Sequence, residues 1–287
     1  MALPGHNGTR IMHRMRRPVR RLARPRIRAE IDATSVPTWR PRHIAADASS
    51  LHFVLSPGRL PRGRRIYAIG DIHGCLPQLR QLHAAVAEDM VRRPPVSALL
   101  LHLGDYIDFG PDSAGVVALL ADGAPVAGLR TINLMGDHER TALQALSGEG
   151  AAATDWLHVG GDAALHSWGI AADTPRRQWR SHLPAEHLAF LEGLATDHRE
   201  GDYVFVHAGI RPGIPLDAQT EDDLLGIRQS FLASEQSFGA IIVHGHSASP
   251  SPTIRANRIG LDTGAGHGGK LTCAVFEEDG AAFIQAA

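Results

Sequence analysis

The sequence predicts an α/β fold for most of the chain, on three observations. The 287 residues suffice for one large α/β domain with additional segments, and 44% of them are hydrophobic. From Arg65 onward, short apolar runs of strand length recur, each bounded by glycine or an acidic residue. Segments whose apolar residues have helical spacing lie between these runs. Alternation of strands and helices is typical of α/β proteins.

Each element has its own signal. The predicted strands are Ile66–Ile69, Ala98–Leu103, Leu129–Met135, Tyr203–Val206, Ala240–Val243 and Ile259–Leu261. Helices are predicted over Leu76–Met90, Ala114–Leu120, Arg140–Leu146, Leu188–Leu194 and Leu224–Leu232, the last after a helix start at Thr220. The C-terminal runs Leu271–Phe276 and Ala281–Gln285 flank Asp279-Gly280, which predicts a β-hairpin.

Residues 1–60 differ in composition from the rest. Residues 1–65 contain fifteen arginines and carry a net charge of +12, whereas residues 66–287 carry −13. Six prolines and the lack of a long apolar period predict that residues 1–60 form a flexible basic extension to a folded domain over 61–287. Such an extension could contact nucleic acid or an anionic surface. An unselected tail or a start codon assigned too early is the favoured interpretation, because basic runs alone are weak signals.

Cysteine content and hydropathy indicate a compartment. The two distant cysteines, Cys75 and Cys273, form neither a disulfide framework nor a zinc cluster, which predicts free thiols in a reducing cytoplasm. No apolar run reaches the roughly 18–20 residues of a membrane helix. The basic start is not followed by the apolar segment of a signal peptide. We therefore expect a cytoplasmic protein with no membrane partner.

Five apolar runs end in motifs that contain Asp or His, and these motifs carry the functional signal. In chain order they are Gly70-Asp71-Ile72-His73-Gly74, Gly104-Asp105-Tyr106-Ile107-Asp108, Gly136-Asp137-His138-Glu139, His207-Ala208-Gly209 and His244-Gly245-His246. Ligands bind at the carboxyl ends of strands in open α/β sheets, so these side chains are expected to converge. Converging carboxylates and imidazoles need a compensating cation, and this mixture suits Mn, Fe or Zn.

In this order the five motifs resemble those of the calcineurin-like metallophosphoesterases, whose pattern is GDxHG, GDxxDRG, GNHE, H-A/G-G and GH. The resemblance covers about Arg65 to Phe276. It is strongest to the bacterial and phage-type PPP serine/threonine protein phosphatases, as Arg211-Pro212 and Leu261-Asp262-Thr263-Gly264 indicate. It implies an α/β sandwich of two mixed β-sheets flanked by helices. It also implies two divalent metal ions, with Mn preferred over Fe or Zn, and a metal-bridging hydroxide that attacks the phosphate ester.

Residue by residue, the resemblance implies a role for each motif position. The implied metal ligands are Asp71 and His73 for the first ion, Asp105 for both ions, and Asp137, His207 and His246 for the second. His138 would be the general acid, and Asp108 would orient its imidazole. Arg228 lies where relatives place a phosphate-binding arginine, although a solvated helix arginine is an equal alternative. Arg211 is a second candidate cation, and His244 is a less favoured rival to His246.

Two positions depart from the family pattern. The family arginine of GDxxDRG is Phe109 here, and the family asparagine of GNHE is Asp137. Both changes make the pocket less cationic toward an anionic substrate. The segment Gly264–Lys270 fits two phosphate-loop patterns, but a strand is predicted after it, so we interpret it as a glycine-rich turn.

The resemblance implies a phosphomonoesterase that acts on a phosphorylated protein, at serine or threonine, or on a small phosphoester. One alternative within the enzyme class is a symmetrical dinucleoside tetraphosphate hydrolase. An alternative of another class is a metal-binding pseudoenzyme that acts as an interaction module. Catalysis is favoured because all six implied ligand positions hold residues able to bind metal.

Overall fold

The computed structural model describes residues 51–123 and 125–287. The strands are β1 Val54–Leu55, β2 Arg64–Ile69, β3 Ser97–His102, β4 Arg130–Asn133, β5 Asp197–Glu200, β6 Tyr203–Val206, β7 Ile241–His244, β8 Thr253–Ile254, β9 Arg258–Gly260, β10 Leu271–Glu277 and β11 Gly280–Ala286. The helices are α1 Leu76–Arg92, α2 Ser113–Ala121, α3 Asp137–Leu146, α4 Gly150–His158, α5 Gly161–Ser167, α6 Trp179–His182, α7 Ala185–Glu192, α8 Glu221–Gly226 and α9 Gln229–Leu232.

The strands form two mixed sheets, as expected. The first sheet has the order β1-β11-β10-β2-β3-β4, in which β2, β3 and β4 are parallel and the hairpin β10–β11 is antiparallel. The second has the order β5-β6-β7-β9-β8, with a parallel centre of β6, β7 and β9 and an antiparallel strand at each edge. The predicted fold class is confirmed.

The two sheets pack face to face, which explains why their strands are continuously apolar. In β2, Ile66 and Ala68 point into the core between the sheets, where they join Phe205 and Phe276. Tyr67, on the other face of β2, belongs to the core beneath α1 and α2. A strand buried on both faces needs apolar residues at every position instead of an alternating pattern. The same packing places the carboxyl ends of β2, β3, β6 and β7 close together.

The prediction of one continuous helix over Leu224–Leu232 is wrong. Thr220 caps α8 by accepting a hydrogen bond from the Asp223 amide, as expected from the sequence. The helix then breaks at Ile227-Arg228, where the Arg228 backbone has φ −128° and ψ −97°, and α9 begins at Gln229. The apolar period continues across this break, so the pattern gave no sign of it.

The start of the folded domain also differs from the prediction. Residues 1–50 of the predicted extension lie outside the described residues, but residues 51–60 are part of the first sheet and its surroundings. Val54 pairs with Ala281 of β11, and the side chain of Leu60 is buried. The Tyr203 hydroxyl donates a hydrogen bond of 2.7 Å to the Gly58 carbonyl. The fold therefore includes residues that precede the predicted boundary at residue 61.

A chain that begins at residue 61 should unfold at a lower temperature than one that begins at residue 51. The shorter chain loses the β1–β11 pairing, the burial of Leu60 and the Tyr203–Gly58 hydrogen bond. Burying a leucine side chain contributes about 1.5–3 kcal/mol, and 1 kcal/mol changes Tm by about 2–4 °C at this size. We expect a decrease of about 3–10 °C by differential scanning fluorimetry. Equal Tm values would show that β1 contributes nothing to stability.

Other segments match or extend the predictions. The glycine-rich segment forms a 3₁₀ turn at Ala265–His267 between β9 and β10, so the predicted turn is confirmed. The polar strand β5 and the alanine-rich helix α4 have no strong period and were not predicted.

Within residues 51–123 and 125–287, no helix combines the length and apolar character that crossing a bilayer requires.

A pair of buried histidines makes the fold sensitive to acid. The Nε2 atoms of His83 in α1 and His102 in β3 lie 3.0 Å apart, and His102 Nδ1 lies 2.7 Å from Asn133 Oδ1. Burial lowers the pKa of His83 to about 4. Burial and the neighbouring His83 lower the pKa of His102 to about 3. The unfolded chain binds these protons near pH 6.5 and the folded protein does not, so stability decreases as the pH falls below 6.5.

Replacing His83 with glutamine should therefore weaken the pH dependence of stability. Each ring contributes a loss of about 1–2 kcal/mol in the free energy of unfolding between pH 7 and pH 5. Glutamine can still hydrogen-bond to His102 but does not titrate. Urea unfolding at the two pH values measures the loss, with His158→Gln, at an exposed histidine, as the control. The same pH dependence in His83→Gln and the unaltered protein would contradict the assignment.

Candidate metal centre

The five motifs meet where the carboxyl ends of the two sheets face each other. The contacts that join them are short. His207, after β6, donates its Nδ1 proton to the Leu103 carbonyl at the end of β3, at 2.9 Å. The His246 amide, after β7, donates to Asp71 Oδ2, after β2, at 2.8 Å. The convergence expected from the sequence is thus present, and both sheets contribute to it.

One cluster contains four of the predicted ligands. Asp105, Asp137, His207 and His246 each present one nitrogen or oxygen atom, and these atoms lie within 4.8 Å of one another. His207 Nε2 and His246 Nδ1 each lie 2.9 Å from Asp137 Oδ1. This set is the one that the resemblance implies for the second metal ion.

A second cluster shares Asp105 with the first. It consists of His73, Asp105 and His138 under the same 4.8 Å limit. His73 donates its Nδ1 proton to the Ile107 carbonyl at 2.8 Å, which leaves Nε2 facing Asp105 Oδ2 at 3.5 Å. A carboxylate common to both clusters is what a bridging ligand requires. The clusters include His138, which the resemblance implies as the acid, and do not include Asp71.

Asp71 lies beside the clusters with one oxygen unused. Its Oδ2 accepts the hydrogen bond from His246, whereas its Oδ1 is buried and has no partner among the described residues. His246 Nε2 is likewise buried without a partner. A Cβ atom at Gly245 would lie 1.9 Å from Asp71 Oδ1, so only glycine allows the carboxylate to occupy this position.

The charges of the centre are poorly balanced without a cation. Burial raises the pKa of Asp71 well above its usual range, and Asp262 and Asp105 add to the increase. Burial and the Asp105 charge raise the pKa of Glu139 to about 8. Against its own burial, Asp105 has a lowered pKa because His207 and His138 stabilise its charge. The unpartnered atoms, the N and O donors and the crowded carboxylates fit two divalent metal ions.

The backbone at this site is held in an uncommon conformation. Among the described residues, six that are not glycine have positive φ. Four of these lie in the motifs and a fifth directly follows one: His73 (43°), Asp105 (52°), Asp108 (73°), His246 (61°) and, after Asp108, Phe109 (55°). Each costs on the order of 1–3 kcal/mol, so such residues persist only where the surrounding structure fixes them. Their concentration at the implied ligands and at Asp108, which orients the implied acid, is typical of a functional site.

Glu139 fixes the turn that contains Asp105 through hydrogen bonds to backbone amides. Its carboxylate accepts hydrogen bonds from the amides of Asp105, Tyr106 and Gly136, at 2.7–3.0 Å. The sequence placed Glu139 in a motif but gave it no role. The structure shows that it fixes the loop that carries Asp105.

His138 is oriented by two residues, one of which the sequence did not suggest. Its Nδ1 lies 2.6 Å from Asp108 Oδ2, and Trp156 Nε1 lies 3.0 Å from both oxygens of Asp108. Although its own burial opposes this, the charges of Asp105 and Asp108 raise the pKa of His138 to about 10. Because Asp108 holds Nδ1, the other ring nitrogen, Nε2, lies on the side of Asp105, 4.0 Å from its Oδ2. Trp156 lies in α4, which has no strong period, so no sequence signal marked it.

The structure distinguishes the two histidines of the last motif. His244 is fully buried, donates its Nδ1 proton to the Gly245 carbonyl at 3.0 Å, and packs against the Phe231 ring. It belongs to neither metal-binding cluster, whereas His246 belongs to the first. The preference for His246 over its rival agrees with this placement.

Neither predicted arginine is in contact with the clusters. Arg211 forms a bidentate ion pair with Asp223, in which its Nε and Nη2 donate to the two carboxylate oxygens at 2.9 and 2.6 Å. Arg228 is exposed at the break between α8 and α9, and its side chain has no hydrogen-bond or ion-pair partner within residues 51–123 and 125–287. The Leu224 carbonyl in α8 accepts a hydrogen bond from the Ala208 amide, which places this region next to the His207 motif. Arg228 thus remains the predicted phosphate-binding residue, and Arg211 already has a partner.

Phe109 occupies the position of the family arginine and packs among histidines. Its ring centre lies 5.0 Å from that of His73, 5.2 Å from that of His138 and 4.5 Å from that of His267. His267 comes from the glycine-rich turn and was not predicted to be near the site. An aromatic ring therefore occupies the position at which the family pattern has the guanidinium group of an arginine.

Comparisons with known proteins agree with this geometry. The family model described as calcineurin-like phosphoesterase matches residues 64–284. Serine/threonine-protein phosphatase 1 of Salmonella typhimurium is 30% identical over 227 residues, which cover 74% of this chain and 91% of that protein.

Two further matches are shorter or more distant. The symmetrical bis(5'-nucleosyl)-tetraphosphatase of Methylococcus capsulatus is 30% identical over 147 residues, 51% of this chain but only 44% of that enzyme. A crystal structure of a protein provisionally described as a diadenosine tetraphosphatase has a TM-score of 0.55 at 24% identity, over 78% of this chain and 94% of that one.

Proposed function

The chain belongs to the calcineurin-like phosphoesterase family, and from that premise we propose that it is a phosphomonoesterase acting on phosphoserine or phosphothreonine in proteins. Membership of the family makes it a metal-dependent phosphoester hydrolase. The observation that carries the proposed substrate is the match to the Salmonella phosphatase, which combines 30% identity with 91% of that protein's length. The symmetrical tetraphosphatase is also 30% identical, but over only 44% of its length, and the structure described as a diadenosine tetraphosphatase is matched over 94% of its chain at only 24% identity.

Five of the six proposed ligands belong to the two clusters, and the sixth, Asp71, lies beside them. Asp71 and His73 would hold one metal ion, Asp137, His207 and His246 the other, and Asp105 both. When bound, such a pair lowers the pKa of water and stabilises charge on the phosphoryl oxygens. Mn is the proposed metal, and Fe and Zn, which suit the same imidazole and carboxylate donors, are the alternatives.

The remaining residues supply positioning and a proton. In hydrolysis an oxygen from water bonds to phosphorus, the bond between phosphorus and the ester oxygen breaks, and that ester oxygen takes a proton. His138 donates this proton from Nε2, because its Nδ1 is held by Asp108. Arg228, exposed and without a described partner, is the proposed contact for the phosphoryl oxygens.

A substrate panel tests this function. The protein is treated with a chelator, divided, and supplied with Mn, Zn or Fe(II). Phosphate release is measured from phosphoserine and phosphothreonine peptides, and the nucleotide products of diadenosine tetraphosphate are separated and quantified by chromatography. We expect metal-dependent release, with kcat/KM at least tenfold higher for the peptides. Faster conversion of the tetraphosphate to two nucleoside diphosphates would favour the symmetrical tetraphosphatase. The absence of hydrolysis with every metal would favour the pseudoenzyme.

A further inference from the structure

A cavity of about 760 Å³ lies next to the metal centre and has no role in the mechanism above. Its lining includes Phe109, Pro111, Leu165, Ile170 and Trp179. Most of its lining is apolar. Its polar side chains are Asp162 and His166 of α5, which are exposed and have no hydrogen-bond or ion-pair partner among the described residues. An open apolar cavity with a polar edge is typical of ligand sites.

Phe109 connects this cavity to the reacting groups. One ring lines the cavity and also lies against His73 and His138 in edge-on contacts. The backbone of Gly160 also lies close to this ring, since a Cβ atom there would be 2.8 Å from the Phe109 ring. The Phe109 ring therefore lines the cavity and is also in contact with the implied general acid.

We infer that the cavity binds an apolar, ring-sized group carried by the leaving alcohol a few bonds beyond the ester oxygen. The inference rests on the proposed function, because His138 defines the leaving-group side of the site. Phe109 lies against His138 on that side, so a long leaving group extends along the Phe109 ring into the cavity. The apolar walls favour an uncharged ring, since burying apolar area there is favourable and burying a charge is costly. Such rings occur as aromatic side chains in phosphopeptides and as nucleobases.

Two alkyl phosphates measure this binding separately from the chemistry. Propyl phosphate and 3-phenylpropyl phosphate have leaving alcohols of similar basicity, and only the second carries a ring. We expect kcat/KM to be about 10- to 100-fold higher for 3-phenylpropyl phosphate, mainly through a lower KM, because the ring is buried on binding. Both are assayed with the metal-loaded full-length protein.

A variant that fills the cavity tests its location. Ala171 is an exposed lining residue outside the metal-binding motifs. Ala171→Trp should reduce the preference for the phenyl compound to about threefold or less and leave propyl phosphate hydrolysis unchanged. Ala172→Trp, at the next lining residue, is an independent second variant. Ala151→Trp, at an exposed alanine of α4 that does not line the cavity, is the matched control and should keep the full preference.

The results separate this inference from the proposed function. Equal kcat/KM for the two phosphates, or an intact preference in both filled variants, would overturn the inference while hydrolysis itself stands. Hydrolysis of neither compound and of no phosphoserine or phosphothreonine peptide, with every metal supplied, would overturn the proposed function. The filled variants also identify the source of the ring. If they slow hydrolysis of a phosphoserine peptide with Phe next to the phosphoserine, but not of the peptide with Ala there, the ring is a side chain. If they slow hydrolysis of diadenosine tetraphosphate, the ring is a nucleobase.

Discussion

Replacing His246 with alanine should abolish metal-dependent hydrolysis, with a loss of at least about 10³-fold in kcat. His246 Nδ1 belongs to the four-residue cluster, and its amide also holds Asp71 in place. Losing one ligand of a catalytic metal pair removes both metal affinity and charge stabilisation. The loss is measured as phosphate release from an aryl phosphate with saturating Mn, together with metal content by mass spectrometry.

The neighbouring histidine provides the control. His244 lies two residues earlier, is buried, and is outside both clusters. His244→Gln should retain bound metal and most of the activity, although it should lower Tm because its ring packs on Phe231. If His244→Gln loses bound metal and His246→Ala retains it, then His244 and not His246 is the metal ligand.

Replacing His138 with asparagine should slow the enzyme in proportion to the basicity of the leaving group. General acid catalysis contributes about 10²–10⁴-fold, and an alkyl leaving group needs the proton far more than a nitrophenolate does. We expect that loss on phosphoserine peptides and a loss of less than about tenfold on 4-nitrophenyl phosphate. Steady-state kcat values for the two substrates provide the comparison.

A second variant separates proton transfer from metal positioning, since His138 also lies in the cluster with His73 and Asp105. Trp156→Phe removes the indole hydrogen bond to Asp108 and leaves His138 itself unchanged. It should shift the pH profile of the peptide reaction with a smaller loss of rate. If His138→Asn slows both substrates equally and loses metal, then His138 acts as a ligand and the proposal that it is the acid fails.

The sequence predicted the site better than it predicted the surroundings that hold it. Each of the five motifs follows an apolar run and begins with or contains glycine, and that local pattern alone located Asp105 and His207 at strand ends. Trp156 could not be found in this way, because its role depends on α4 packing over Asp108. The cross-sheet contact between Asp71 and His246 joins residues 175 apart in the chain, and no local period encodes such a distance. The break at Arg228 was missed for the same reason, since tertiary packing overrides an uninterrupted apolar period.

Neither sheet alone holds the metal-binding groups, and this division has a consequence for how the protein responds to its metals. Asp71 and Asp105 follow strands of the first sheet, and His207 and His246 follow strands of the second. Ions bound between them would link the two sheets of the sandwich. The complete set of ligands exists only when both sheets are folded and packed together. Metal binding would then stabilise the fold as well as enable the reaction, because a ligand that binds only the native state shifts the folding equilibrium toward it.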